Sequence, residues 1–353
     1  PSRRALALPA VVALLAIGAA AGAAALANDP EEPPTELRAC NGHRELCDRP
    51  LDRISFPSTH NSMSAASEPG WLFAGQERGI REQLAGGIRG LLIDTHYGIR
   101  TRRGVYTVLQ QGSKSRAKIQ DELGPKFVAT AERLRARMGY RGGGRREVYL
   151  CHGYCEVGAT RAETALRAIR DFLLQHPFEV IVISVEDDTE PRDTAAAFRS
   201  SGLLELVWKA PLRDGRLPTP RQMVESGERV LVMAENETGG IRWLRPQFEL
   251  VQETPFDVKT VAALADRASC RPNRGRAANP VLMLNNWVET TPAPLPSNAR
   301  KVNAHATLLR RARECQRIRR RLPAVVAVDF YGQGDVVGVT DALNGVARDR
   351  GGR

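Results

Sequence analysis

The sequence predicts an α/β fold, an irregular TIM-type (β/α) barrel carried by a single domain over 39–353, and three observations predict it. Each confident strand runs out into polar or acidic residues: Thr59-His60-Asn61-Ser62, Asp94-Thr95-His96, Glu186-Asp187-Asp188, Asn285-Asn286-Trp287 and Asp329-Phe330-Tyr331. Helical stripes intervene between these strands, and in a closed parallel barrel the strand C-termini converge on one mouth, where catalytic groups sit. No glycine-rich phosphate fingerprint follows any strand, which counts against the open doubly wound sheet that fits the same alternation.

Ahead of this domain, Arg3 and Arg4 precede an apolar run from Ala5 to Ala27 that closes on Ala25-Leu26-Ala27. Charged, apolar and small-residue regions in that order spell a secretory signal peptide over 1–27. The run is also long enough for an uncleaved membrane anchor. On either reading the remainder lies outside the cytosol, secreted in the first case. Residues 28–38 read as a linker. Six cysteines in an exported chain predict disulfides. Cys40 and Cys47 close a short loop before the His60 strand, Cys151 and Cys155 bracket His152, and Cys270 and Cys315 remain for each other. Zinc is the competing reading, but C-H-G-Y-C has no second C-x-x-C partner. With 51 Lys and Arg against 40 Asp and Glu, the net charge of +11 gives a basic surface that attracts phosphates, anionic lipids or nucleic acid. Arginine serving as the ordinary solvated residue explains the same balance.

Element by element, Ile54-Ser55-Phe56 is a short apolar strand that Pro57 is expected to end, because proline offers no N–H to a ladder. Ile80, Leu84 and Ile88 recur at helical spacing between Gln76 and Leu92, with Gly86-Gly87 as the stop. Ile88–Asp94 follows as a strand, and a second one from Arg146 to Cys151 delivers His152. Thr160 and Glu163 form a capping-box pattern ahead of the stripe Ala165, Leu166, Ile169, Phe172 and Leu173. The β-branched run Glu179–Val185 is the signature of a strand buried on both faces. Further strands are expected over 229–234, 281–284 and 324–328, with a helix on the stripe Leu308, Ala312, Cys315 and Ile318 between the last two. That helix carries arginines on its other face, a solvated surface or a phospholipid contact. The segments 241–254 and 269–279 give no clean period and read as loops.

Two histidines at separate strand ends can act as general base and general acid, since imidazole titrates near neutrality. Asn61, Asp94 and Glu186 bring to the same mouth the oxygen ligands that a hard cation such as Ca²⁺ selects. Together these groups describe phosphodiester cleavage: a base takes a hydroxyl proton, an acid protonates the leaving alkoxide, and a cation offsets phosphorane-like charge. Taken singly, each has a plainer reading, a hydrogen-bonded structural histidine or an acidic turn. His176 and His305 read as surface residues.

The pieces F-P-S-T-H-N-S around His60, G-I-R-G-L-L-I-D-T-H around Asp94, L-C-H-G around His152 and H-P-F-E-V-I-V-I-S-V-E-D ending near Glu186 resemble, in order, the phosphatidylinositol-specific phospholipase C X domain family. The flanking C-N-G-H-R-E-L-C-D-R-P, L-N-N-W and V-D-F-Y are similar to its secreted members. The resemblance implies an irregular TIM-type barrel that cleaves the glycerol–phosphate ester of an inositol lipid, with a phospholipid at a membrane surface as partner, no nucleic acid and a monomeric chain. By position, His60 is implied as the base for the inositol 2-hydroxyl and His152 as the acid at the diacylglycerol oxygen. Asp329 is placed as the group orienting His60 or as the start of a turn. His96, Asn286 and Trp287 are placed against the substrate.

Asn61 and Glu186 match the calcium-dependent lineage, so Ca²⁺ held by Asn61, Asp94 and Glu186 is the expected cofactor. Leu92 stands where animal members have a further carboxylate, leaving the site one ligand short. Two other functions compete. A glycerophosphodiesterase or sphingomyelinase D-like barrel expects Glu-x-Asp where this chain has Leu92-Ile93-Asp94. A non-catalytic barrel that binds anionic headgroups would not need both histidines.

Overall fold

Alternation of buried residues along short β-branched strands builds the frame, and its parity decides what reaches the mouth. The computed structural model describes residues 39–109, 116–212 and 215–346. The predicted leader 1–27 and linker 28–38 lie outside the described residues, as does 347–353. Eleven strands form one sheet: β1 (Phe56–Thr59), β2 (Gly90–Thr101), β3 (Gly104–Thr107), β4 (Arg146–Leu150), β5 (Thr160–Arg161), β6 (Ile181–Asp187), β7 (Val230–Ala234), β8 (Leu244–Pro246), β9 (Val251–Glu253), β10 (Val281–Asn286) and β11 (Pro323–Val328). Eight of them run parallel in the order β8-β7-β6-β2-β1-β11-β10-β9. This is the predicted TIM-type barrel, with one irregularity: among the described residues β8 and β9 share no ladder. The helix Gln247–Leu250 connects them.

Outward residues such as Leu91, Ile93, Ile181, Ile183, Val185, Val326 and Val328 pack under the surrounding helices, against Leu84, Ile169, Phe172 and Leu308 among others. Inward residues form a second cluster of Phe56, Val180, Val182, Leu231, Met233, Val251, Met283, Val325 and Ala327, joined by Leu46, Leu51 and Ile54. Burying one such side chain contributes about 1.5–3 kcal/mol before entropy is counted. Stepping by two from the inward residues gives His60, Asp94, Glu186, Glu235, Glu253, Asn285 and Asp329. One parity therefore carries seven polar residues to the end of the barrel interior.

All three predicted disulfides are present, Cys40–Cys47, Cys151–Cys155 and Cys270–Cys315. Other expectations need correction. Pro57 lies inside β1 rather than ending it, because its carbonyl accepts from Arg89 while the ladder with β2 begins only at Ser58, so no donor is missed. The helix expected from Gln76 is confined to Ile80–Ala85. Ala162–Gln175 is helical without a capping box; its N-cap is Arg161. β2 does not stop at Asp94 but runs to Thr101, and β4 pairs with it antiparallel, Thr95 opposite Leu150, so β4 is an appendage and not a barrel strand. The segment 241–254, read as loop, holds both β8 and β9.

Candidate active site

His60 follows β1 directly, and three contacts set its ring. Its Nδ1 lies 2.9 Å from Asp329 Oδ1, its face stacks on Trp287 at 3.8 Å between centroids and 2° between planes, and Asn61 Nδ2 lies 3.2 Å from Nε2. An amide nitrogen can only donate, so Nε2 accepts and Nδ1 carries the proton shared with Asp329. Gln76 ties the two strand exits together by donating to the carbonyls of His60 and Val328, at 2.8 and 3.0 Å. Asn61 has φ of +46°, a left-handed conformation that asparagine tolerates better than most residues.

His152 arrives from the other side. β4 runs back along β2, and the chain turns within the Cys151–Cys155 loop to set His152 Nδ1 at 2.6 Å from Asp94 Oδ2. The two imidazole rings stand 6.4 Å apart at 82°. Each is anchored through Nδ1 to a carboxylate that is 4% exposed, while the His60 and His152 side chains are 22% and 25% exposed. Two buried carboxylates thus hold two accessible imidazoles facing one cleft.

A cavity of about 530 Å³ opens here, lined by His60, His152, Asp94, Glu186, Trp287 and Glu289 among others. A side pocket of about 30 Å³ shares His60, His152 and Glu289 and adds Asn61 and Asp329. Burial pushes the Glu289 carboxyl up, against the pull of His60 and His152. On the far wall burial, reinforced by Glu186, pushes Glu235 up to about 7. Arg274 bridges this wall, its Nη1 2.6 Å from Glu235 Oε2 and its Nε 2.5 Å from Glu253 Oε1. Although burial alone would lower it, the two carboxylates hold the Arg274 guanidinium above its ordinary range.

His60, His152, Asp94, Asp329 and Trp287 therefore converge, and Glu186 lines the same cavity. Asp94, expected as a metal ligand, uses one oxygen on His152. His96 and Asn286, expected against substrate, are not at the cleft surface. His96 is 4% exposed and its Nε2 accepts from the Gly153 N–H at 3.3 Å, so it supports the His152 loop from beneath. Asn286 has outward parity; its amide donates to Asn303 Oδ1, and its neighbour Asn285 lines the cavity instead. Glu235, Glu253, Glu289 and Arg274 were not expected here. For Glu235 the signal was available, since it continues the inward series Leu231, Met233.

The calcium donors fit in part. Asn61 Oδ1 is buried with no hydrogen-bond partner, an oxygen available to a cation. Among the described residues no three His, Cys, Asp or Glu side chains are grouped to hold a metal, so a bound ion would need this amide and oxygens from substrate or water.

The PI-PLC X 1 family model matches residues 135–344, more than half of the chain. The chain belongs to the PI-PLC X family. The matched span holds His152, Glu186, Trp287 and Asp329, with His60, Asn61 and Asp94 N-terminal to it. A PI-PLC X domain-containing protein of Arthroderma benhamiae is 24% identical over 329 residues, 89% of this chain and 92% of that protein. One from Arabidopsis thaliana is 25% identical, over 84% of this chain and 62% of its own length. An uncharacterized secreted protein of Arthroderma benhamiae is 26% identical over 64% of this chain; the alignment spans 42% of that relative. In fold, this PI-PLC X chain is similar to a pentafluoro-Phe-containing phosphatidylinositol-specific phospholipase C of Staphylococcus aureus, with TM-score 0.50, 12% identity, and 85% and 94% of the two chains covered.

Proposed function

We propose that this chain is an exported phosphodiesterase of the phosphatidylinositol-specific phospholipase C type, acting on the glycerol–phosphate bond of an inositol lipid. The observation that carries this reading is the pair of imidazoles, each fixed at Nδ1 by its own buried carboxylate and facing one cleft. His60, with Nε2 as acceptor, takes the proton of the attacking hydroxyl. His152 gives its Nε2 proton to the leaving glycerol oxygen, and Asp94 balances the positive charge it carries as the acid. Trp287 keeps the His60 ring from rotating. Calcium held by Asn61, Asp94 and Glu186 would supply positive charge to the non-bridging phosphate oxygens.

The secreted relative and the three disulfides support export. Among the described residues no helix is long and apolar enough to cross a membrane. The glycerophosphodiesterase alternative is less well supported, because Leu92, where it requires Glu, lines the cavity. The test is phosphorus NMR of products from a panel of phospholipids, with and without EGTA. An inositol phosphate released from phosphatidylinositol, and its loss in chelator with recovery on Ca²⁺, is the expected result. Full activity in EGTA would remove the cation from the mechanism, and turnover of choline or glycerol diesters alone would reject the inositol assignment.

A further inference from the structure

Outside the barrel, away from His60 and His152, a cavity of about 830 Å³ lies between the helix His305–Arg319 and the segment 261–270. Its floor includes Arg311, a residue 7% exposed. Among the described residues the guanidinium donates to neutral acceptors alone: Nε to Leu264 O and Ser269 Oγ at 3.0 and 3.1 Å, Nη1 to Asn286 Oδ1 at 3.1 Å, and Nη2 to Ser269 O at 3.5 Å. Among the described residues these four acceptors leave two of its five N–H bonds without an acceptor. No carboxylate pairs with it among the described residues, and burial pushes its pKa down to about 9. A buried cation with no counter-charge is costly, and proteins keep such groups paired.

The rim repeats the sign. Exposed Arg267, Arg310 and Arg313 line the cavity and make no ion pair among the described residues. The two carboxylates on the rim are engaged, Asp266 with the Ala268 N–H and Glu314 with Arg317. Val261, Leu264, Val302 and Leu309 make the remaining wall apolar. The Cys270–Cys315 disulfide joins the helix to the turn bearing Ser269, so the Arg311 shell is covalently braced.

We propose that this cavity binds an amphiphilic phosphate monoester or carboxylate, its anionic head paired with Arg311 and the rim arginines and its apolar body against Val261, Leu264 and Leu309. Head and body are both required: Arg311 with the three rim arginines Arg267, Arg310 and Arg313 selects an anion, and the apolar wall selects against a fully hydrated one. The ligand could be a free monoester or a lipid headgroup, which share this chemistry.

Isothermal titration of the full chain with hexyl phosphate, inorganic phosphate and hexanol tests it. Hexyl phosphate should bind at least tenfold more tightly than inorganic phosphate, with hexanol silent. In Arg267→Ser/Arg310→Ser, whose changes are at exposed positions and spare the buried network, affinity should fall at least tenfold; in His60→Ala/His152→Ala it should be retained. Arg311→Met, checked for folding by circular dichroism, should abolish binding. Co-sedimentation with phosphatidic acid vesicles that is lost in the Arg267/Arg310 variant would identify the lipid source, and its absence alongside hexyl phosphate binding the soluble one. No binding of hexyl phosphate, equal binding of hexanol, or binding lost in the histidine variant and kept in the arginine variant would each overturn the proposal.

Discussion

Replacing Asp94 by Asn leaves a group that still bonds His152 Nδ1 but cannot balance its charge, so the protonated form that the proposed acid needs is less populated while the ring stays in place. We expect kcat to fall about 10²–10⁴-fold in Asp94→Asn, as in His60→Ala and His152→Ala, the range that acid–base groups contribute. KM should change little, and a fall in KM-dependent terms alone would speak against the role. Asp329→Asn should lower kcat similarly by loosening the His60 tautomer, because Asp329 Oδ1 receives the Nδ1 proton. His60 and Asp329 could be read from the sequence, since a polar residue just past an apolar barrel strand reports the mouth directly, whereas His152 follows the appended β4 and was marked by the L-C-H-G motif instead. His96 and Asn286 could not be placed that way. Each stands beside strand-exit residues, but His96 lies where β2 has left the barrel to pair with β4, and Asn286 has the outward parity. Proximity to a strand end is a weaker signal than its phase.

The loop that presents His152 is closed by a disulfide and braced by the turn Cys155–Val157. Cys151→Ala/Cys155→Ala should lower unfolding free energy by about 2 kcal/mol, the value for closing so short a loop. Its kcat should fall further than that loss of stability implies, which denaturant unfolding beside turnover at low temperature would separate. In that same turn Glu156 is buried, bonded to the Thr107 N–H and hydroxyl, and burial raises its pKa above 4.5 despite Thr107 and Arg135. The folded state therefore binds a proton that the unfolded chain has released, so stability declines as pH rises from about 4.5 through the raised folded pKa. Glu156→Gln should remove that decline in urea titrations between pH 4 and 7; an unchanged slope would assign it to another group. The helix Ala162–Gln175 was legible because fourteen residues display a full stripe. β8 and β9 were not, because three residues each cannot show a period, and β4 was legible as a strand while its antiparallel direction was not.

Across the whole molecule, the break between β8 and β9 is closed by side chains and a loop instead of a ladder. Gln247 accepts from the Ser184 hydroxyl and donates to Glu235 Oε1 at 3.1 Å, and Arg274 joins Glu235, just past β7, to Glu253 at the end of β9. Arg274→Ala would leave two carboxylates facing each other in a wall where Glu253 is 1% exposed. We expect a loss of about 3 kcal/mol in urea unfolding, the low end for orphaning a buried charge because Glu235 can take up a proton. No loss would mean that the loop backbone alone holds the seam. That backbone lies flush on β9: the Glu253 N–H donates to Arg274 O, the Asn273 N–H donates to Glu253 O, and a Cβ at Gly275, whose φ is +78°, would come 1.9 Å from Val251 O. The Glu253 amide is therefore shielded by a loop and not by a neighbouring strand, which makes it a clock for the opening of the wall. In deuterium labelling it should exchange on the schedule of residues 273–275 while the amides of β10 stay protected, and Arg274→Ala should quicken the first without touching the second.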